Sequence, residues 1–350
     1  MSSLGILGNF IHGTCEEMCP KSELEFRQRQ RLLHPLEMKA GTIHHKPPLA
    51  DPLKTVKEYS RSAAGVKAEN ADQLRPLPVL ERTTIYLIRL ALEEQDLCGN
   101  WSTIYDFVAD RLRAVRKDIV IQGLSGRDVL PILEVMVLFH LYAGYRLCEL
   151  KVSQFDPKLN NDMLIDCVRR VLDTYDYGFT SRNQLLLESI FALHDINRTE
   201  GVVRLLSSKA RSKLTEDAIQ MFILYSSNNY ARLFRSLQDL PAPLACAMAQ
   251  HLPSVRRNAF NAMSVAYSSK ILKVPVQWLS SLLLLSCEEV RAEAKNYGVK
   301  QEADFLQFSK GNFNFDSKPV PCTRLKELEI ESKMQVFIKK FLVQNFDLRK

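Results

Sequence analysis

Several things are scarce in this sequence. Glycine makes up 13 of 350 residues, which argues against a glycine-rich nucleotide-binding fold and for helices. No G-x-S-x-G, H-E-x-x-H or P-loop pattern occurs, so hydrolase chemistry has no foothold. The opening MSSLGILGNFIHG lacks a basic n-region, and its apolar run is too short for a signal peptide. The most apolar later stretch, Ile132 to Tyr145, is interrupted by Glu134 and His140. It is too short to span a bilayer and reads as a buried helix. These absences predict a cytosolic or nuclear protein whose eight cysteines are reduced thiols. Five of them (Cys98, Cys148, Cys167, Cys246, Cys287) fall in or beside apolar helical patterns, where cysteine acts as a small hydrophobe.

What is present is helix after helix. From Val79 to about Lys270 no alternating strand pattern occurs. Segments of helical period follow one another with short turns. In WSTIYDFVADRLRAVRKDIVIQ, Ile104, Val108, Leu112, Val115 and Ile119 recur at helical spacing, and Asp106, Asp110, Arg113, Arg116 and Lys117 form a solvated face. DVLPILEVMVLFHLYAGYRLCEL is apolar nearly all round and reads as a central helix. The helices lack a strict sequence period, so any repeat is structural. The expected architecture is all-α: a helical-repeat (TPR/PCI-like) superhelix over 79–270. VPVQWLSSLLLLS and CEEVRAEAKNYGV, then a phenylalanine-rich stretch around Lys310-Gly311, predict a winged helix with a β-hairpin over 271–322. A charged amphipathic helix closes the chain over 323–350.

Residues 1–78 read as a motif segment and an extended, poorly packed linker. Ser22 and Glu25 form a capping-box pattern that predicts a helix from about Glu23 to Leu33. The same segment carries the densest chemistry, HGTCEEMCPKSELEFRQRQR. His12, Cys15, Cys19 and His34 are a candidate zinc set, but the spacing is loose and no second Cys pair follows. The competing reading is that both cysteines pack a tight turn leading into the helix. Thiol redox chemistry is disfavoured, because Glu16 and Glu17 would raise a thiolate pKa. His140 and His194 read as buried, hydrogen-bonded residues. No cofactor is expected.

Net charge is +7, spread along the chain, which permits nucleic acid or an acidic partner. Candidate phosphate contacts are Arg291, Lys295 and Lys310 of the winged helix, with Arg256 and Arg257 just before it. However, its recognition helix carries three acids and only two cations. Arg27, Arg29, Arg31, Arg111, Arg113, Arg116 and Lys117 could extend a sequence-independent patch or simply be solvated surface. Protein binding is the strongest reading, on the helical repeat and on the open edge of the wing hairpin.

The ordered series GTCEEMCPKSE, VKEYSRSAAG, LRPLPVLERTTIYLI, IYDFVADRLRAVRKDIVIQ, NNYARLFRSL, RRNAFNAMSVAY and VPVQWLSSLL with CEEVRAEAKNYGV resembles the SAC/GANP family. Those proteins are scaffolds of the nuclear-pore-associated mRNA-export complex. The motif residues are Gly13, Thr14, Cys15, Met18, Cys19 and Pro20. The resemblance implies pairing with a second PCI-domain protein, joined by a small acidic disordered subunit, with the paired winged helices forming a nucleic-acid surface. Without nucleoporin-like repeats, an acetyltransferase region or a centrin-binding helix, the chain resembles the short single-domain type linked to centrosome and spindle. The expected function is therefore a non-enzymatic scaffold in centrosome duplication and mitotic progression, located in cytoplasm, cytoskeleton, centrosome and spindle. The alternative is an RNA-binding export adaptor at the nucleus or nuclear envelope.

Overall fold

The structure is a computed structural model and describes residues 10–42, 44–61, 70–93 and 100–346. The sequence readings of residues 1–9, of 62–69 and of Cys98 lie outside the described residues. Among those described, fourteen α-helices and one small three-stranded sheet make an all-α helical-repeat fold. None of the described helices is long and apolar enough to cross a membrane. The chain divides into two compact units, one of residues 1–139, 169–181 and 338–350, the other of 140–168 and 182–337.

The first unit contains α1 (Lys21–Arg29), α2 (Leu77–Glu93), α3 (Trp101–Ile121) and the start of α4 (Leu130–Arg146). Helix α2 buries Leu80, Thr84, Leu87, Ile88 and Ala91 on one stripe and packs on α3. Asn100 caps α3, its Oδ1 accepting the Ser102 N–H at 3.1 Å, which satisfies one of the orphan donors of the first turn. Residues 132–143 of α4 are all buried, as expected of a helix apolar all round. Glu134, the acid that interrupts that run, accepts hydrogen bonds from the hydroxyls of Tyr175 at 2.8 Å and Ser181.

Helix α1 differs from its sequence reading. It begins at Lys21 with Pro20 at the cap, and no side chain caps it, so Ser22 and Glu25 form no capping box. Pro20 has φ −56°, and its carbonyl accepts the Leu24 N–H at 3.0 Å; proline presets this start two residues earlier. The helix stops at Arg29 rather than Leu33. Arg31 turns left-handed at φ 59°, and the Leu32 N–H returns to the Arg27 carbonyl at 2.9 Å, a closing bond of the Schellman kind.

The second unit holds α6 (Gln184–His194), α7 (Glu200–Ser207), α8 (Lys213–Ser226), α9 (Tyr230–Leu237), α10 (Ala242–Ala249) and α11 (Leu252–Ala266), with part of α5 (Pro157–Asp176). Helix α6 packs on α7, α8 and α10. Helix α7 is absent from the sequence reading because its eight residues are too few to show a period. Its Gly201 lets it approach α6: a Cβ there would lie 2.5 Å from Ala192 Cα.

A winged helix follows in the order β1 (Val274–Pro275), α12 (Val276–Leu283), α13 (Cys287–Asn296), β2 (Lys300–Glu302) and β3 (Phe305–Gln307), and later comes α14 (Ile330–Asn345). The sheet order is β1-β3-β2, antiparallel, with Val274 opposite Leu306 and Gln301 opposite Leu306 on the other side. The hairpin turns at Ala303, φ 47°, and not at Lys310-Gly311 as the sequence suggested; Lys310–Asn312 is a 3-10 turn. The phenylalanines decide this. Phe308 and Phe313 face inward, where Phe260 meets Tyr297 at 5.4 Å and Phe308 at 6.1 Å, and Tyr297 stacks on Phe313 at 5.7 Å. Phe260 is fully buried at the centre of this cluster. Phe260→Ala should lower stability by about 3–5 kcal/mol, measured by chemical denaturation. A loss below about 1 kcal/mol would show that the cluster does not hold the winged helix.

Candidate partner-docking site

The N-terminal motif is clasped to α3 by buried charge. Glu37, fully buried, accepts Arg27 Nη1 at 2.8 Å and Nη2 at 3.1 Å, the Val56 N–H at 3.0 Å and the His34 N–H at 3.2 Å. Arg111 of α3 reaches the same carboxylate at 3.4 Å and Glu58 at 3.0 Å. A second buried carboxylate, Asp118 of α3, accepts Arg75 Nε at 2.7 Å and Lys57 Nζ at 2.8 Å. Arg75 also donates to the Met18 carbonyl at 3.2 Å, and Lys57 to the Gln73 carbonyl at 2.8 Å. Buried charges of this kind hold only when paired and hydrogen-bonded. Here each carboxylate receives at least two charged donors, and Arg27 grips Glu37 with both arms of its fork.

The motif residues explain themselves in this setting. Gly13 N–H donates to Gln122 Oε1 at 2.8 Å, Thr14 N–H to the Ala71 carbonyl at 2.8 Å and Cys15 N–H to the Leu74 carbonyl at 3.0 Å. A Cβ on Gly13 would stand 2.4 Å from the Leu74 oxygen, so only glycine fits. Met18, Cys15 and Cys19 are buried. The stretch read as a poorly packed linker is firmly packed at 55–57: Thr55, Val56 and Lys57 are buried. Lys57 N–H bonds the Met18 carbonyl at 3.0 Å and Tyr59 N–H bonds Asp110 Oδ2 at 3.1 Å. The α3 face read as solvated is therefore partly covered. Arg113 stacks over the Tyr59 ring at 4.1 Å, and Lys117 donates to Ser60 Oγ at 3.0 Å. Arg27 and Arg111 leave the proposed basic patch, because both are buried and ion-paired.

The four zinc candidates do not converge. His12 is exposed. His34 Nδ1 accepts the Leu36 N–H at 3.3 Å while its ring stacks on Phe107 at 4.8 Å. Cys15 Sγ donates to the Glu17 carbonyl at 3.3 Å, and Cys19 Sγ sits 3.6 Å from Arg27 Nη2. Among the described residues no three His, Cys, Asp or Glu side chains are grouped to hold a metal ion. Burial, with Glu23 next, pushes the Cys19 thiol up to about 12, and burial also raises Cys15. The sequence reading had the direction from Glu16 and Glu17; the main cause is burial.

Just before the winged helix, in α11, Arg256 is no phosphate contact. It is fully buried, with Nε donating to the Leu283 carbonyl at 3.2 Å and Nη2 to the Leu284 carbonyl at 3.0 Å. It thereby caps the C-terminus of α12, where a cation also meets the negative end of the helix dipole. Arg257 is half-buried and donates to the Ser317 and Phe315 carbonyls. Arg291 pairs with Asp304 at 3.0 Å, while Lys295 and Lys310 are exposed. Beneath Arg256, burial raises the Glu293 carboxyl to about 7, against the pull of the guanidinium.

Around β1 the winged helix leaves four large apolar side chains exposed. Ile271 is 87% exposed, Leu272 45%, Trp278 45% and Phe305 40%. Phe305 is joined to this stretch because it pairs with Pro275 across the sheet. Sequence reasoning marked the wing hairpin as a docking element but did not single out these side chains, since periodicity alone does not report which apolar residues stay exposed.

Comparison with known proteins places most of the chain. The model of the SAC3/GANP family matches residues 18–303, and the chain belongs to that family. It is 25% identical over 314 residues to Protein xmas of Drosophila melanogaster, covering 84% of this chain and 15% of that protein. SAC3 family protein 1 of Schizosaccharomyces pombe is 26% identical, over 92% of this chain and 34% of its own length. SAC3 family protein B of Arabidopsis thaliana is 25% identical, over 83% and 18%. The chain thus spans between 15% and 34% of the length of these relatives. The family is of the scaffold type and is linked to mRNA export and nuclear-pore complexes.

Two outcomes follow from the buried charges. Asp118→Ala leaves Arg75 and Lys57 buried without a carboxylate, and should cost about 3–5 kcal/mol; a loss under 1 kcal/mol in denaturant titration contradicts the clasp. Glu293 has a folded pKa above its ordinary 4.5, so the native state binds the extra proton. Its ionisation should therefore erode stability as pH rises from about 4.5 towards 7, by about 1.4 kcal/mol per unit at most. Glu293→Gln should flatten that stretch of the stability–pH curve; an unchanged slope would show that Glu293 is ionised in the fold.

Proposed function

We propose that this member of the SAC3/GANP family is a non-enzymatic scaffold that docks protein partners at its winged helix, in the service of centrosome duplication and mitotic progression. The observation that carries the docking reading is the exposed quartet of Ile271, Leu272, Trp278 and Phe305. Single exposed apolar residues are ordinary. Four large ones on one short stretch and its paired strand favour a contact surface, with tryptophan as the natural anchor.

The sheet offers a second element. Pro275 in edge strand β1 has no N–H to give, which discourages strand addition there. The outer edge of β2 carries Lys300, Gln301 and Glu302 and suits extension by a partner's strand or wing. The partner that fits this arrangement is a second PCI-domain protein, with a small acidic disordered subunit favoured by the net charge of +7. The likeness of the motif series to the short centrosome-linked relatives supports the centrosome and spindle setting, in cytoplasm and cytoskeleton. The family's link to mRNA export favours a second setting, an RNA-binding adaptor at the nuclear envelope, for which the exposed Lys295 and Lys310 remain available.

Tagged protein followed through the cell cycle should concentrate at centrosomes and spindle; a nuclear-rim signal alone would replace that setting with the export one. For the docking surface, Ile271→Glu with Trp278→Glu should cut recovery of the PCI-domain or pericentriolar partner at least tenfold. Since both residues are exposed, the melting temperature should hold within a few degrees. Undiminished recovery by the folded double variant would remove the winged helix as the docking site.

A further inference from the structure

The second unit contains chemistry that docking does not use. A cavity of about 350 Å³ is lined by Cys148, Cys246, Cys322, His194, Gln250 and Val320, among others. Three of the described free cysteines thus share one enclosed space. Cys246 is buried, whereas Cys148 and Cys322 are partly accessible. Cys148 and Cys322 both line this cavity, the adjacent Glu149 and nearby Arg324 are ion-paired at 2.9 Å and so hold the two segments together, and Cys322 Sγ donates to the Ala249 carbonyl at 3.3 Å. They come from distant parts of the chain. Cys148 sits just beyond α4, and Cys322 sits between the winged helix and α14.

The neighbouring imidazole is not a base for this pair. His194 Nε2–H donates to Asn161 Oδ1 at 2.6 Å and Nδ1 accepts from Gln250 Nε2 at 2.7 Å. Burial depresses its pKa to about 3, so it stays neutral with both nitrogens occupied. Reactivity therefore rests on the thiols themselves. The neighbouring Cys148 thiol lowers the Cys322 pKa, and the Arg256 guanidinium adds to this against the effect of burial. The same pairing raises Cys148, and burial raises Cys246. Thiolate character thus favours Cys322 as the first sulfur to react.

We propose that Cys148 and Cys322 form a modification site, a dithiol that a hydroperoxide oxidises to an intrachain disulfide. The Cys322 thiolate attacks one peroxide oxygen, the O–O bond breaks, and the departing hydroxide takes up a proton to leave as water. Cys322 is then a sulfenic acid. The Cys148 sulfur attacks the Cys322 sulfur, the S–S bond forms, and the sulfenic hydroxyl leaves as water with the Cys148 proton. Two thiols lose two electrons in total, and one molecule of hydrogen peroxide becomes two of water. The product ties the segment leaving the winged helix to the turn after α4. It is independent of the docking reading, because neither thiol belongs to the exposed quartet.

The test is peptide mapping of the reduced full chain after exposure to hydrogen peroxide, with remaining thiols alkylated and digestion under non-reducing conditions. The expected product is a Cys148 peptide joined to a Cys322 peptide, lighter by two hydrogen atoms than the sum of the two. In Cys148→Ser, Cys322 should accumulate as a sulfenic acid trapped by dimedone. In Cys322→Ser, Cys148 should remain an alkylatable thiol. Recovery of both cysteines as free thiols in the wild-type chain overturns the proposal. So does a disulfide that joins either one to Cys246, Cys287 or a second chain. The wild-type map decides the matter even where a variant fails to fold.

Discussion

The first unit depends on two buried carboxylates, Glu37 and Asp118, and on the four cations that meet them. In the described part of the segment before α2 the buried large apolar side chains are Met18, Leu33, Leu36, Val56 and Leu74, and hydrophobic burial alone would leave it loose. What fixes it is that Arg27, Arg111, Lys57 and Arg75 are withdrawn from water and become tolerable only when paired in place. Because a misplaced partner leaves a charge stranded, the arrangement is strict about register as well as stable. Gly13 then lets the backbone close on Leu74 and Gln122. Burial of Cys15 and Cys19 completes the turn that leads into α1.

The second unit solves a different problem. Its winged helix is small, and its interior is filled by Phe260, Tyr297, Phe308 and Phe313. Arg256 closes the end of α12 from within. With those residues committed inward, the side chains left outside are Ile271, Leu272, Trp278 and Phe305. The division of labour is physical: aromatic packing and an internal cation keep the wing rigid, and rigidity is what allows an exposed apolar surface to serve as a docking face rather than collapse into the core.

The helices were legible in the sequence because their apolar residues repeat at helical spacing, as in Ile104, Val108, Leu112, Val115 and Ile119 of α3. The family was legible through an ordered motif series. The clasp was not. Arg27 meets Glu37 from ten residues away and Arg75 meets Asp118 from forty-three, and no local pattern reports a pairing of that range. The same blindness made Arg27, Arg111 and Arg256 look like surface cations, since burial of an arginine is decided by carbonyls and carboxylates elsewhere in the chain. Short elements failed for another reason. Helix α7 has too few residues to show a period, and at α1 the proline preset the start before Ser22 could cap it. The hairpin was placed at the Lys310-Gly311 pair because glycine advertises turns, yet Ala303 takes the left-handed position.

Residues 55–59 belong to the folded unit and are held there by bonds to Glu37, Met18, Glu23 and Asp110. Amide hydrogen exchange on the full chain tests it most directly, because the Val56, Lys57, Glu58 and Tyr59 N–H groups each have a named acceptor. These amides should exchange as slowly as those in the middle of α3, since they open only with the unit itself. Exchange of 55–59 at the rate of an unstructured segment, with α3 still protected, would contradict it.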